Sequence, residues 1–222
     1  MATKTPTRPA QRGDLLDGLD VLRADHLTVE KIFQRLERLP KPSPTRASLI
    51  RKLVKDLSVH ATIEEEILYP VLRTEIEGGA PLANHALDEH HEVKEALVDL
   101  QRLKPDGEDF DTVLLALMED VREHVAEEEG ELFPKLERVL DDQRRHDLAI
   151  ALSQAKKLAP TRPHPAAPDT PPGNIAAGLP MAAIDRAKDL GVGVMHFGLG
   201  VAKTALDAGL KAATSAMRRI RR

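Results

Sequence analysis

Residues 60–70 read HATIEEEILYP, and residues 124–134 read HVAEEEGELFP. The two stretches lie 64 positions apart. In each, a His is followed by Glu at i+4 and by Pro six residues after that Glu. The same offset joins Asp25-His26 to Glu89-His90, so that each half of the chain carries two His 34 positions apart. Val29 matches Val93, Leu36 matches Leu100, Leu53 matches Leu117, Leu68 matches Leu132 and Tyr69 matches Phe133. The chain therefore repeats itself once. Two copies of a His, His, Glu set describe two half-sites that face one another, a place for two metal ions.

Apolar residues around the repeat recur at helical spacing, because positions i, i+3 and i+4 share one face of a helix. Val29, Ile32, Phe33 and Leu36 run with His26 in a first helix that Asp14 can cap and that ends near Leu39. Ser43 before Pro44 suits a second helix start, Ser as cap and Pro at the first helical position. That helix carries Leu49, Leu53, Leu57, His60, Glu64, Ile67 and Val71. A third helix is expected over about 82–104, a fourth over about 110–140 and a shorter fifth over about 142–158. Long helices with short connections give an all-α fold, an antiparallel up-down four-helix bundle. Pro70 and Pro134, late in the second and fourth helices, should kink them by removing a backbone hydrogen bond.

Placed on these helices, His26, His60, Glu64, His90, His124 and Glu128 all point into the bundle. A buried carboxylate without a partner is costly, and cations would neutralise two of them. A single His on an apolar face is ordinarily a core histidine, so the argument rests on six residues in register. By spacing, His91 lies off the face of His90, His85 belongs to a helix start, and Glu65, Glu66, Glu127 and Glu129 fall on solvated faces. Asp56 and Asp120 are candidates either for bonding a ring N–H or for plain solvation. Tyr69 and Phe133 read as core residues.

The chain has 222 residues, a net charge of −4, 41% hydrophobic content, 2% aromatics and no Cys. Disulfides, iron–sulfur clusters and zinc–thiolate sites are excluded. A metal here takes imidazole and carboxylate ligands, which suit iron, manganese or zinc. The acidic balance and the lack of aromatic residues predict no nucleic-acid partner. Lack of Cys fits a cytoplasmic location.

The motifs Asp25-His26, His60 to Glu64 with EEILYP, Glu89-His90 and His124 to Glu128 with EEGELFP resemble the hemerythrin family, most closely its HHE cation-binding domains. The resemblance covers about 14–158. It implies a di-iron centre, oxo- or hydroxo-bridged, with zinc or manganese as alternatives. Carried over, His26 and His60 would serve one iron, His90 and His124 the other, and Glu64 and Glu128 would bridge them. Respiratory hemerythrins carry a further His four residues away on the third helix, whereas Ala86 and Lys94 stand four away from His90 here. That departure points from oxygen carriage toward an open metal position, and so toward sensing or handling O2, peroxide or NO. Two other functions stay open. One is a peroxide-consuming enzyme. The other is an interaction module in which metal serves as structural glue.

Outside the bundle, residues 1–13 read as a disordered arm. Residues 159–173 hold six prolines and read as a stiff, extended linker. Residues 174–222 form an Ala- and Gly-rich tail, partly helical, with eight Lys and Arg against three Asp. The tail is a candidate for contact with a partner or an anionic membrane surface. Its longest apolar run, Leu190 to Ala202, is too short to span a bilayer.

Overall fold

The computed structural model describes residues 16–41, 43–105, 107–171, 173–174, 178, 181–182 and 185. The expected arm at 1–13, Asp14 and most of the partly helical tail lie outside these residues. Every regular element among the described residues is helical. Helix α1 spans Gly18–Arg38 and α2 spans Pro44–Ile63. A π-helical turn, Glu64–Leu68, carries α2 directly into α3, Tyr69–Glu75. Helix α4 spans Gly79–Arg102. The second half repeats the pattern with α5, Glu108–Glu127, a π turn at Glu128–Leu132, and α6, Phe133–Val139. Helix α7, Asp142–Leu158, follows. The expected bundle and short fifth helix are therefore both present.

Local chemistry explains the boundaries. The cap of α1 is Asp17, three residues after the expected Asp14, and its side chain accepts from the Leu19 amide at 2.8 Å. Ser43 caps α2 as expected, accepting from the Arg46 amide. Asp141 does the same for α7 at the Arg144 amide. Before α4 the chain reverses at Gly78, whose φ of 73° is a left-handed conformation open to glycine at little cost. A Cβ on the next residue, Gly79, would lie 2.1 Å from the Leu72 carbonyl oxygen.

The prolines act differently from a plain kink. Each π turn ends two residues before a proline, and the closing bonds run from Tyr69 N–H to the Glu64 carbonyl and from Phe133 N–H to the Glu128 carbonyl. A π turn admits one extra residue. The slip absorbs the clash of the proline ring with the preceding turn. It also brings Glu65 indoors beside Glu64, at 4% and 0% exposure.

Apolar residues gather in two clusters. One holds Phe33, Leu36, Leu53, Leu97 and Leu117, and the other holds Leu22, Leu68, Leu72, Leu136 and Leu148. The six candidate ligands lie in neither cluster and are all buried. Helix α7 packs on α1 and α2. Beyond it, residues 160–171 bend and turn over the bundle and do not run extended. Ala159 and Thr161 are buried, and Asp169 reaches Lys94 on α4 at 2.6 Å. The expected stiff spacer is a docked strap, because its prolines punctuate turns that the bundle surface holds. None of the described helices is long and apolar enough to cross a membrane.

Candidate metal centre

The four imidazoles meet by their Nε2 atoms. His26 on α1 and His60 on α2 stand 3.1 Å apart at Nε2, and so do His90 on α4 and His124 on α5. Between the pairs lie the two carboxylates that open the π turns. Glu64 Oε2 is 3.1 Å from His60 Nε2 and 3.5 Å from His90 Nε2. Glu128 spans the same gap with both oxygens, Oε2 at 3.4 Å from His26 Nε2 and Oε1 at 3.7 Å from His124 Nε2. All six residues proposed from the spacing are thus brought together. Two groups among them have the geometry to hold an ion, His26, His60, Glu64 and Glu128 in one and Glu64, His90 and His124 in the other.

Each ring is oriented from behind by a carboxylate. His26 Nδ1 donates to Glu129 Oε1 at 2.7 Å, and His90 Nδ1 donates to Glu65 Oε1 at 3.0 Å. His124 Nδ1 donates to Glu89 Oε2 at 2.8 Å, while His60 Nδ1 lies 3.4 Å from Asp25 Oδ2. Glu65 and Glu129 are one repeat apart, as are Asp25 and Glu89, so the duplication extends to these supports. With the proton on Nδ1, each Nε2 presents a lone pair to the centre. Lone pairs facing one another at 3.1 Å repel unless a cation or proton sits between them. For ions about 2.1 Å from nitrogen, two donors at that spacing subtend about 95°, a cis pair on one ion.

Several of these supports lie where helical spacing does not predict them. Glu65 and Glu129 were expected on solvated faces, yet they bond His90 and His26. The π turn explains the error for Glu65, because a 3.6-residue period carries no information across an inserted residue. Asp56, one candidate for bonding a ring, pairs with Lys52 on its own helix instead. The residues beside the first His of each half, Asp25 and Glu89, take that part. Tyr69 was read as core. Its hydroxyl donates to Glu128 Oε1 at 3.0 Å and lies 3.0 Å from His90 Nε2. Its match Phe133 stacks on His26, with ring centroids 5.8 Å apart. Only polarity at the ring tip separates the two, and periodicity does not register it.

The electrostatics fit a cation. Glu64 Oε1 and Oε2 and Glu128 Oε2 are buried without a hydrogen-bond donor. Burial, then the neighbouring Glu128, raise the Glu64 carboxyl well above the usual range. Burial acts on Glu128 too, but the His124 and His26 imidazoles outweigh it and hold that carboxyl low. The two carboxyls are thus pushed in opposite directions, and a cation between them would favour the charged form of Glu64. Burial brings His60 down to about 4 and holds His90 well below its ordinary value. These rings stay neutral, the form that ligates. Tyr69 is pushed well up by burial and by Glu128, and so stays a neutral phenol.

A cavity of about 20 Å³ adjoins the centre, lined by the four His with Val29, Leu57, Ala61, Val93, Val121 and Val125. Its walls are otherwise apolar, and its size suits one molecule of about the size of water. Outside it, a surface groove of about 400 Å³ shares His26, Val29, Val121 and Val125 with the cavity and is rimmed by Arg23, Glu30 and Arg122. A third, exposed group of His85, Glu89 and Glu127 lies near His124.

Comparisons with known proteins identify the family and the fold. The family described as hemerythrin HHE cation binding domain matches residues 17–136. An uncharacterised hemerythrin-like protein of Schizosaccharomyces pombe is 31% identical over 77% of this chain and 84% of its own length. A DNA nickase of a Nostoc species is 30% identical over 62% of this chain, which spans only 38% of that relative. Among solved structures, a hemerythrin HHE cation-binding domain-containing protein from Mycobacterium kansasii superposes with a TM-score of 0.58 at 22% identity. That superposition covers 64% of this chain and 86% of the other, and it shows a shared fold.

Proposed function

This chain belongs to the hemerythrin HHE cation-binding family, and from that premise we propose that its buried centre holds two iron ions and senses or handles O2, peroxide or NO. His26 and His60 hold one ion, and His90 and His124 hold the other. Glu64 and Glu128 would serve both. One observation carries the reading: two buried carboxylates, three of their oxygens without donors, lie between two pairs of inward-facing imidazoles. Bound iron would supply redox chemistry that no side chain here provides. The chain's own part is orientation and space. Glu129, Asp25, Glu65 and Glu89 fix the rings from behind. The valine-lined cavity has room for one molecule of about the size of water beside the four imidazoles.

Iron loading under anaerobic, reducing conditions followed by elemental analysis tests this reading. About two iron per chain are expected from two half-sites. Retention of no iron after removal of loosely bound metal would reject it.

A peroxide-consuming enzyme is the second reading, favoured by the placement of Lys94. That residue stands where a further His would complete the ligand set, and its Nζ turns away to Glu65 and Asp169. No fifth imidazole reaches the centre among the described residues. Steady-state peroxide consumption by iron-loaded protein, with Glu64→Ala as control, separates the readings. Turnover no faster than that of free iron removes the enzyme.

A further inference from the structure

Lys94 is only 7% exposed, although a lysine on the outer side of a bundle helix ordinarily extends its amine to water. Its Nζ lies 2.8 Å from Glu65 Oε1 and 2.9 Å from Glu65 Oε2, and 2.6 Å from Asp169 Oδ1 on the strap. Glu65, 4% exposed, uses Oε1 to accept from His90 Nδ1 at 3.0 Å. Four residues thus form an unbroken chain of contacts from the strap to the metal centre: Asp169, Lys94, Glu65, His90.

The duplication supplies an internal comparison. The match of Lys94 is Glu30, which lies at the surface and pairs with Arg122. The match of Glu65 is Glu129, which supports His26 with its side chain 38% exposed. In the other half Lys156 bonds Asp25, the half-buried support of His60, at 2.7 Å. Among the described residues, the Lys94–Glu65 clamp differs in being buried and in carrying the strap residue Asp169. A fold that needed nothing more than a staple for residues 160–171 already has one. The buried Asp185 carboxylate accepts from the Thr161 and Arg162 amides at 3.1 and 3.0 Å.

We infer that Lys94 and Asp169 are positioning residues that hold Glu65 on the His90 Nδ1–H, and that strap docking thereby strengthens cation binding in the His90–His124 half of the centre. The inference rests on the metal-binding reading above. Its physical basis is competition for Glu65. With Asp169 in place, the ammonium divides its attraction between two carboxylates, and Glu65 remains free to accept from the ring. Without Asp169, Lys94 draws Glu65 to itself. The ring N–H then loses its acceptor, and Nε2 becomes a poorer donor to the ion. Linkage makes the effect mutual, so a cation in that half also holds the strap down.

The test is an anaerobic cobalt(II) titration of the full chain, reading ligand-field absorption and competition with a chelator, so that the two equivalents are resolved. Asp169→Asn should weaken one equivalent by about tenfold or more, as losses of such supports do, and leave the other unchanged. Asp169→Glu should restore it. Lys94→Met should also weaken that equivalent, for a different reason: Glu65 is then buried without a counter-charge and is a poorer acceptor for the ring N–H. Hydrogen exchange at the Ala167 amide should slow on cobalt loading in the unmodified chain and not in Asp169→Asn. Unchanged affinities in Asp169→Asn, with the unmodified chain binding two cobalt, would overturn the inference alone. So would equal weakening of both equivalents with a lowered melting temperature of the cation-free protein, which marks a purely structural contact. An unmodified chain that binds no cobalt would overturn the metal-binding reading, and this inference with it.

Discussion

At the scale of single residues, Tyr69 and Phe133 show how a duplicated sequence becomes an asymmetric site. They occupy equivalent positions, yet one hydroxyl bonds Glu128 while the other ring only stacks on His26. A hydrogen bond to a buried charge contributes about 1.5–3 kcal/mol. Tyr69→Phe should therefore destabilise the cation-free protein by about that amount in urea unfolding, and Phe133→Leu should act only through lost apolar packing. A Tyr69→Phe variant as stable as the parent would mean that Glu128 carries no charge in the cation-free state. The six ligand candidates were legible in the sequence because each is a chemically distinctive residue recurring at one fixed offset. Tyr69 and Glu65 were not, because their roles depend on where a ring tip and a slipped turn end up. Neither has a periodic signature.

At the scale of elements, capping residues and apolar periodicity located the helices to within a few residues, and Ser43 did so to the residue. The exceptions mark tertiary control. The π turns are written in the sequence only as a proline after an acidic run, which reads equally well as a kink. The reversal between α3 and α4 rests on two adjacent glycines with different reasons for being glycine. Gly78→Ala should cost about 1–2 kcal/mol for its left-handed backbone. Gly79→Ala should cost more, since its Cβ would strike the Leu72 carbonyl. Thermal unfolding of the two variants checks the order, and the reverse ranking would contradict it. Helices α1 and α5 are joined at the surface by Arg122, bonded to Glu30 and Glu37 beside the Phe33 ring. Arg122 holds the Glu30 carboxyl below its usual range. A carboxyl lowered on folding adds stability above its unfolded pKa, and that stability is lost as pH falls through the folded value. Glu30→Gln should thus cost under about 1 kcal/mol at neutral pH, as exposed pairs do. The difference from the parent should vanish in acid. A cost that persists once the folded-state Glu30 carboxyl is itself protonated would show that the pair is not its cause.

At the scale of the whole molecule, the duplication places a buried polar centre among two apolar clusters, with a surface groove that shares part of its lining. Such a centre is costly to bury without ions. Ions that bind only the folded chain stabilise it by mass action, by about 2.7 kcal/mol at a hundredfold excess over the dissociation constant. The melting temperature should therefore rise with cation concentration, and a Glu64→Gln, Glu128→Gln double variant should show no such rise. Composition identified the Pro-rich stretch at 159–173 but not its docking, which is made by contacts between residues far apart in sequence, Asp169 with Lys94 and Asp185 with the Thr161 and Arg162 amides. Diffraction from iron-loaded crystals, with anomalous scattering recorded at the iron edge, tests the central claim most directly. Two peaks are expected, one beside His26 and His60 and one beside His90 and His124, with Glu64 and Glu128 shared between them. A single peak at the exposed His85, Glu89 and Glu127 group, with none in the bundle, would contradict the account.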